Sequence, residues 1–361
     1  MDLVALSDDL TGALEAGGFF RAAHIDTVVT LEQHGEAAAA VTDLETRRLA
    51  PGEAGDRARA AAAQARVRGA RYLYMKTDST LRGPIGAELN AMMRAWPGPP
   101  LVYAPAYPRL GRVVRDGRLF VHGQPLEHTD FARDPSQPAG TSCIRRLLEP
   151  YCDAPIVPIR RSEELSARLA EKAGAVLYLC DAEIEDDLAS LVRVMAQHHA
   201  LTLTAGTAGM AAELAKVVDV ARTVAPARCL ARSGLVVNGS LHPASLEQVA
   251  RAGELSKWNS QGWMVISTDT SPVQDPARRL AQVARRVLSE CSIEALVIFG
   301  GDTAFEVLTE LGVNTIYPAG ELLPGVPVSR ICVGGRELVL ASKAGGFGGP
   351  DVIREIRDAL R

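Results

Sequence analysis

The stretch 71-RYLYMKTDSTLRGP-84 passes from an apolar, β-prone run into a loop of charged and hydroxyl side chains, and a predicted helix opens at Pro84. Stretches rich in Ala, Arg and Glu have helical spacing, as at 53–69 and 183–199. They lie between further short apolar runs, at 2–7, 27–31, 101–106, 175–181 and 201–206. Strand alternating with helix predicts an α/β protein with a mostly parallel sheet.

The alternation breaks at 223-TVAPARCLARSG-234 and then resumes. Two glycine-containing turns predict hairpins, an Asp-Gly within 111–127 and a Gly-Gly within 326–341. The other elements predicted beyond the break are strands at 234–240, 262–268 and 295–301 and helices at 243–255, 276–291, 302–312 and 350–361. We therefore predict two domains, residues 1–226 and 234–361. Each has a mostly parallel sheet flanked by helices, and the active site lies in the cleft between them.

Length and composition exclude several classes of protein. The 361 residues carry a formal net charge of −4, with 47% apolar and 23% charged residues, so no basic surface for nucleic acid is indicated. No apolar run approaches the roughly 18–20 residues that cross a bilayer, and the N-terminus is acidic where a signal peptide is basic. The six cysteines show no zinc or disulfide pattern. We expect a cytoplasmic protein without nucleic-acid or membrane partners; its oligomeric state is open, with a homodimer as the assembly to test.

Two carboxylates, Asp8 and Asp9, follow the first predicted strand and precede a helix. In a parallel sheet, ligands bind at the carboxyl ends of strands, so this position is a candidate site. A helix cap accounts for one carboxylate, and the other is then available to accept a hydrogen bond from a substrate hydroxyl.

A set of cations accompanies these carboxylates. Lys76, Asp78 and Arg82 follow the strand at 71–76, where a charged surface loop is the simpler alternative to a binding site. Arg47 alone is explained by solvation. Together with Lys76 and Arg82 it supplies the charge for binding a small carboxylic acid, because the planar guanidinium of arginine pairs bidentately with a carboxylate.

Glycine loops distinguish the second half of the chain. Glycine follows the predicted strands at 238-NGS-240 and 300-GGDT-303, and four glycines occur in 342-SKAGGFGGPD-351. Glycine lets backbone N–H groups approach a phosphate closely, and a helix N-terminus adds partial positive charge. Three such loops predict a polyphosphate site, although neither a P-loop motif nor a strand-to-helix dinucleotide motif is present.

Taken together, these motifs resemble the four-carbon acid sugar kinase family nearly from end to end. The family motif Asp-Asp-x-Thr-Gly is matched at 8–12, and Lys-x-Asp-Ser-Thr-x-Arg-Gly at 76–83. The remaining matches are Glu-Ser-Arg with Thr for Ser at 45–47, Pro-x-x-Gly-Arg at 108–112, and the nucleotide-binding segments at 239–240, 300–302 and 343–348. The Lys-Ala-Gly-Gly-Phe-Gly form of the last segment is similar to that of the family's D-threonate kinases.

The resemblance implies a Mg²⁺- and ATP-dependent kinase that phosphorylates the terminal hydroxyl of a four-carbon sugar acid such as D-threonate or D-erythronate. The sugar acid and ATP are then its small-molecule partners. Any of Asp8, Asp9 and Asp78 is a candidate catalytic base, and the metal ligands are unknown. The implied substrate-binding residues are Arg47, Lys76, Thr77, Asp78, Ser79 and Arg82. The implied nucleotide-binding residues are Ser240, Gly300, Gly301, Asp302, Lys343, Ala344, Gly345, Gly346, Phe347 and Gly348.

Two alternatives stay open. A kinase of the same fold acting on a 3-oxo-tetronate or a 4-hydroxy amino acid would carry similar motifs, and a substrate panel separates these. A non-catalytic sensor that binds a sugar acid and a nucleotide belongs to another class, and the retained Lys76, Asp78 and Arg82 argue against it.

Overall fold

A single large sheet organises the protein, which is described by a computed structural model covering residues 2–31, 35–133, 138–171, 174–223, 228–253, 262–268 and 275–361. The strands of the first half are β1 (Leu3–Ser7), β2 (Thr27–Leu31), β3 (Ala39–Asp43), β4 (Tyr72–Lys76), β5 (Leu101–Ala104), β6 (Arg112–Arg115), β7 (Arg118–Val121), β8 (Gln124–Pro125), β9 (Ile156–Ile159), β10 (Leu177–Cys180) and β11 (Leu203–Gly206). Those of the second half are β12 (Gly234–Asn238), β13 (Trp263–Ser267), β14 (Ala295–Phe299), β15 (Thr315–Leu323), β16 (Val326–Val333) and β17 (Arg336–Lys343).

Helices connect and cover these strands. In the first half they are α1 (Leu10–Ala22), α2 (Pro51–Val67), α3 (Ile85–Ala95), α4 (Ile144–Leu148), α5 (Ser162–Ala170), α6 (Glu185–Gln197) and α7 (Ala208–Val217). In the second half they are α8 (Pro243–Gly253), α9 (Pro276–Glu290), α10 (Gly301–Glu310) and α11 (Val352–Leu360). None of the described helices is both long and apolar enough to cross a membrane.

Within the described residues the large sheet has fourteen strands, in the order β13-β12-β14-β17-β16-β15-β2-β3-β1-β4-β11-β5-β10-β9. All strand pairs of the first half in this sheet are parallel, as are β13-β12-β14-β17. The antiparallel strands β15 and β16 join the two halves, because β15 pairs with β2. The predicted α/β class and mostly parallel sheet are confirmed, with the addition that the sheets of the two halves are continuous.

Both predicted hairpins form. Asp116 and Gly117 turn between β6 and β7 with φ of 48° and 67°, and Gly334 and Gly335 turn between β16 and β17 with φ of 55° and 81°. Two consecutive positive φ values match the twist of the flanking strands, which is why glycine is favoured in these turns.

Part of the predicted interdomain boundary, residues 224–227, lies outside the described residues.

Helix α1 lies where the two halves meet. Its glycines allow close packing, since a Cβ on Gly17 would lie 3.0 Å from Pro318 Cγ and one on Gly18 would lie 2.9 Å from the Gly320 carbonyl oxygen. The side chains of Leu10, Leu14 and Phe20 are buried in a hydrophobic core to which both halves contribute. One helix therefore packs on both parts of the sheet.

Candidate functional site

Three neighbouring strands bring the predicted substrate residues together. β1 lies between β3 and β4, and Ser7 at its end is paired with Asp43 on one side and Lys76 on the other. The loops that follow these strands therefore leave the sheet side by side. They carry the three segments 8–9, 45–47 and 76–82.

Arg47 links all three loops. Its Nε donates to Asp8 Oδ2 at 2.7 Å and its Nη1 to Asp9 Oδ2 at 2.6 Å, while its Nη2 lies 3.5 Å from Asp78 Oδ1. Burial would lower the pKa of Arg47, but the three carboxylates outweigh burial and raise it well above its usual value. The guanidinium is thus a permanent cation at the centre of the cluster.

Arg82 pairs with Asp78 bidentately. Nε donates to Asp78 Oδ2 at 2.8 Å and Nη2 to Asp78 Oδ1 at 2.9 Å, and the Thr80 hydroxyl also donates to Oδ2. Burial alone would raise the pKa of Asp78, but Arg82 and Arg47 hold it well below its ordinary range. Asp78 therefore stays ionised, and both of its oxygens are occupied.

Asp8 and Asp9 have different surroundings. Asp9 is the N-cap of α1, and its Oδ1 accepts from Gly12 N–H at 2.9 Å, as expected for one member of the pair. Asp8 is 1% exposed, and burial raises its pKa although Arg47 and Lys76 act against that rise. Oδ1 of Asp8 has no hydrogen-bond partner among the described residues.

Lys76 and Thr77 line the inner part of the cluster. Lys76 Nζ donates to the Thr77 carbonyl at 3.1 Å, and a Cβ on Gly12 would lie 2.7 Å from that nitrogen, so the absence of a side chain at Gly12 leaves room for the lysine ammonium. Thr77 is fully buried, and its hydroxyl contacts Tyr103 Oη at 3.3 Å and the Gly206 carbonyl at 3.4 Å. Ser79 is partly exposed beside them.

The predicted nucleotide residues also follow adjacent strands. β14 lies between β12 and β17, so the loops at 238–240, 300–302 and 344–348 are neighbours. Gly300 is the N-cap of α10 with φ of 102°, a backbone conformation that residues other than glycine rarely adopt. A Cβ on Gly345 would collide with Ser240 Oγ. The three glycine loops thus pack against one another at the N-terminus of α10.

Helix α8 holds the 344–348 loop in place. Gln248 Nε2 donates to the carbonyl oxygens of Phe347, Gly348 and Gly349 at 3.1, 3.0 and 3.1 Å. Ser245 Oγ donates to the Gly345 carbonyl at 2.7 Å. The path of the loop is therefore fixed by side chains from a neighbouring helix.

Lys343 lies behind this loop. It is fully buried, and its Nζ donates to Ser245 Oγ at 3.2 Å and to the Ala344 and Gly345 carbonyls at 3.2 and 3.3 Å. The same nitrogen is 4.1 Å from the centroid of the Phe299 ring. Burial lowers the pKa of Lys343 to about 7. Two of the three hydrogen bonds that Lys343 donates in this arrangement go to backbone carbonyls of its own loop.

Loops of the two halves contact each other directly. A Cβ on Gly301 would lie 2.9 Å from Asp9 Oδ2 and 3.1 Å from Thr11 Oγ1. Arg48 forms an exposed ion pair with Asp302. The predicted substrate residues and the first turn of α10 are therefore immediate neighbours.

Two residues that were not predicted from the sequence as site residues also lie in this region. Glu88 is fully buried and accepts from the Thr46 hydroxyl; burial, followed by the nearby Asp8, raises its pKa to about 8. Arg112 contacts the ring of Phe347 across the two halves. Glu88 lies just after the family motif at 76–83, and Arg112 is the last residue of the motif at 108–112. Their positions in or beside these motifs were the sequence signal that could have pointed to them.

Family models match both parts of the chain. A sugar-binding N-terminal domain matches residues 3–214, and a nucleotide-binding C-terminal domain matches residues 266–353. The chain is 30% identical to a D-threonate kinase from Bordetella bronchiseptica, over 99% of this chain and 96% of that protein. It is 26% identical to a 3-oxo-tetronate kinase from Methylobacterium radiotolerans, over 99% of both chains.

Solved structures show the same fold. A Salmonella typhimurium protein described as a putative tRNA synthase matches with a TM-score of 0.80 over 100% of both chains, at 23% identity. A Bordetella bronchiseptica protein of unknown function, solved as a domain-swapped dimer with bound citrate, matches with a TM-score of 0.54 at 27% identity, over 100% of this chain and 98% of that one.

Proposed function

Because the chain belongs to the four-carbon acid sugar kinase family, we propose that it transfers the γ-phosphoryl group of ATP to the terminal hydroxyl of a tetronic acid, with D-threonate or D-erythronate as the first candidates. The observation that supports this most directly is the contact between Gly301 and Asp9. It brings the N-terminus of a helix in the nucleotide-binding half next to a carboxylate of the sugar-binding half. Transfer between the halves then needs no long movement of either ligand.

The cations of the first half suit a sugar acid. We propose that Arg47, Arg82 and Lys76 hold the carboxylate and hydroxyls of the substrate, and that Thr77 and Ser79 line its site. Arginine–carboxylate pairs fix the guanidinium planes in advance, so little conformational entropy is lost when the substrate binds.

Asp9 is the carboxylate that we propose as the base. Asp8 is almost inaccessible, and the lowered pKa of Asp78 makes it a weak proton acceptor. Asp9 lies beside Gly301, and its Oδ2 has a second lone pair for the attacking hydroxyl in addition to the bond from Arg47. The hydroxyl proton then passes to this oxygen as the new P–O bond forms.

We propose that the triphosphate lies along the first turn of α10, against the backbone of Gly300 and Gly301 and the hydroxyl of Ser240. Asp302 and the 344–348 loop complete that side of the site, and Lys343 acts by holding the loop. Backbone N–H groups at a helix N-terminus bind phosphate oxygens, and the helix dipole adds partial positive charge there.

Mg²⁺ is the metal that we propose to accompany ATP. Among the described residues no group of three or more His, Cys, Asp and Glu side chains could hold a metal. A Mg²⁺ that takes most of its ligands from phosphates and water needs only one or two carboxylates. Asp43 and Glu45 form a buried carboxyl pair that shares a hydrogen bond. Burial raises the pKa of Asp43 well above its usual value and that of Glu45 to about 7, so a metal bound there would displace a proton from the pair. Bound there, the metal would neutralise charge on the phosphates.

A substrate panel tests the proposal. The purified protein is supplied with ATP, Mg²⁺ and, in turn, D-threonate, L-threonate, D-erythronate, their 3-oxo forms and a 4-hydroxy amino acid. We expect ADP release with one tetronate and a phosphorus signal coupled to the terminal carbon in the product. If nucleotide binds but no acid stimulates turnover, the kinase proposal fails and the sensor alternative gains support.

Sequence identity to the relatives decides which acid to test first. The D-threonate kinase relative is more similar to this chain than the 3-oxo-tetronate kinase relative, which supports D-threonate as the first substrate to test. The division into domains at 226 and 234 stays a prediction. A homodimer also stays a proposal, supported by the dimeric relative; light scattering of the purified protein decides it.

A further inference from the structure

Arg112 occupies an unusual position at the boundary between the two halves. It is the first residue of β6, is 5% exposed, and follows Gly111, whose φ of 73° turns the chain into that strand. Its Nη1 donates to the Leu110 carbonyl. Its Nε is buried and has no hydrogen-bond partner, and Arg112 forms no ion pair with any carboxylate in the described part of the chain.

Two aromatic rings lie close to its guanidinium. Cζ of Arg112 lies 5.5 Å from the centroid of Phe131, which belongs to the first half, and 5.1 Å from that of Phe347, in the glycine loop of the second half. A cation at these distances is attracted by the ring faces, and this attraction uses none of the N–H donors. The Nε–H donor of Arg112 therefore stays unused beside the two rings.

Charged residues of the proposed substrate site lie near Arg112. Asp78 and Glu15 attract it and Arg82 repels it, while burial, the largest influence, lowers its pKa. Arg82, by contrast, has a carboxylate partner in Asp78, and Lys343 donates to the carbonyls of its own loop. A buried cation without a counter-ion is unfavourable, so an anionic ligand at this point would be stabilised.

We propose that Arg112 is a further catalytic residue, which binds the terminal phosphate of the nucleotide and stabilises the charge of the phosphoryl group during transfer. This inference rests on the proposed kinase function. In the step, the bond between the γ-phosphorus and the β,γ-bridging oxygen breaks and a bond to the substrate oxygen forms. The hydroxyl proton passes to a carboxylate, and ADP leaves with the bond electrons. Arg112 donates hydrogen bonds to the phosphoryl oxygens and exchanges no atom.

The test compares ATP with ADP. Calorimetric titration of the full-length protein with each nucleotide and Mg²⁺ is combined with steady-state kinetics on the best tetronate. For Arg112→Ala we expect at least tenfold weaker binding of ATP, less than twofold change for ADP, and a decrease in kcat of about 10²–10³-fold. Arg112→Lys should recover part of kcat, because it restores the charge without the planar fork.

Arg109→Ala is the matched control. Arg109 lies in the same segment and forms an ion pair with Glu321 of the second half, so its removal weakens a contact between the halves without removing Arg112. We expect the ratio of ATP to ADP affinity to be unchanged in this variant. If Arg112→Ala weakens both nucleotides equally, or changes kcat less than threefold, Arg112 only joins the two halves and the proposal is wrong.

The nucleotide comparison also separates this inference from the kinase proposal. If the wild-type protein binds ATP but phosphorylates no acid, the proposed function and the catalytic role fail, while the comparison of ATP with ADP still decides whether Arg112 binds the terminal phosphate. If circular dichroism shows that Arg112→Ala is unfolded, Arg112→Gln replaces it, since glutamine keeps much of the volume and one donor group. Equal loss of both nucleotides in Arg112→Gln would also overturn the inference.

Discussion

At the scale of single residues, buried charge at the ends of β1, β3 and β4 is held in arginine–carboxylate pairs. Arg47 and Arg82 share Asp8, Asp9 and Asp78 between them. Removing one member of such a pair leaves the other buried without compensation, which costs more than the pair contributes. Substitutions here must therefore preserve shape and hydrogen bonding if they are to report on catalysis.

Asp9→Asn tests the base. Asparagine keeps the N-cap of α1 and removes the negative charge, so we expect the fold to persist while kcat falls about 10²–10³-fold in steady-state kinetics. Asp78→Asn is the comparison: because Asp78 orients Arg82, its loss should act mainly by raising KM for the sugar acid. A kcat for Asp9→Asn within threefold of the wild type would exclude Asp9 as the base.

Glu88 should make stability depend on pH. Burial raises its pKa from an ordinary 4.5 to about 8, so the folded state binds its proton more tightly than the unfolded state does. The contribution of Glu88 to stability is thus present below about pH 4.5 and is lost progressively as pH rises to about 8. Glu88→Gln, which stays neutral, should flatten this part of the profile in urea unfolding at pH 6 and pH 8.5. Parallel profiles for the two proteins would contradict the assignment.

At the scale of elements, α8 holds the 344–348 loop through Ser245 and, at three consecutive carbonyls, through Gln248. Gln248→Met removes the two N–H donors that serve three loop carbonyls while keeping much of the volume of the side chain. We expect about tenfold weaker ATP binding by calorimetry and an unchanged KM for the sugar acid, because the change is confined to the nucleotide side. The neighbouring exposed Glu247 supplies the control, since Glu247→Gln should alter neither quantity.

Sequence pattern predicted most elements, and three strands of the large sheet are among those that it did not predict. β3 begins within the alanine run 37–40, which is more typical of a helix. β15 contains Pro318 and Gly320, which interrupt its alternation, and its pairing with β16 shifts in register between them. β9 also contains a proline and lies at the edge of the sheet. These strands are determined by pairing with distant neighbours, which local periodicity does not report.

The candidate site could be predicted where its residues directly follow strands that the sequence pattern reveals. Asp8, Asp9, Lys76 and Arg82 follow strands that periodicity reveals, and the structure brings them together. Gln248 could not be predicted, because its role depends on packing between α8 and a loop about 100 residues later in the chain.

At the scale of the whole molecule, α1 and β15 connect the sugar-binding and nucleotide-binding halves. Gly18→Val would force side-chain atoms into the Gly320 carbonyl, and we expect a loss of about 1–3 kcal/mol in the free energy of unfolding. Limited proteolysis should also become faster between the halves. Gly52→Ala is the control, because nothing lies within 4 Å of the added Cβ; it should be neutral or stabilise by about 0.5 kcal/mol. Equal stability of the two variants would exclude tight packing of α1 on β15.

The join between β2 and β15 has a practical consequence for dissecting the protein. Among the described residues, Thr30 pairs with Thr315 and Val29 with Ile316, and this short pairing covers part of one side of the nine-residue strand β15. A fragment containing the nucleotide-binding half alone would expose that side as an open strand edge, which favours aggregation. β15 already contains Pro318 and Glu321, so we expect the solubility of such a fragment to rise when further charged residues are introduced along the exposed edge, and separate expression of the halves should begin there.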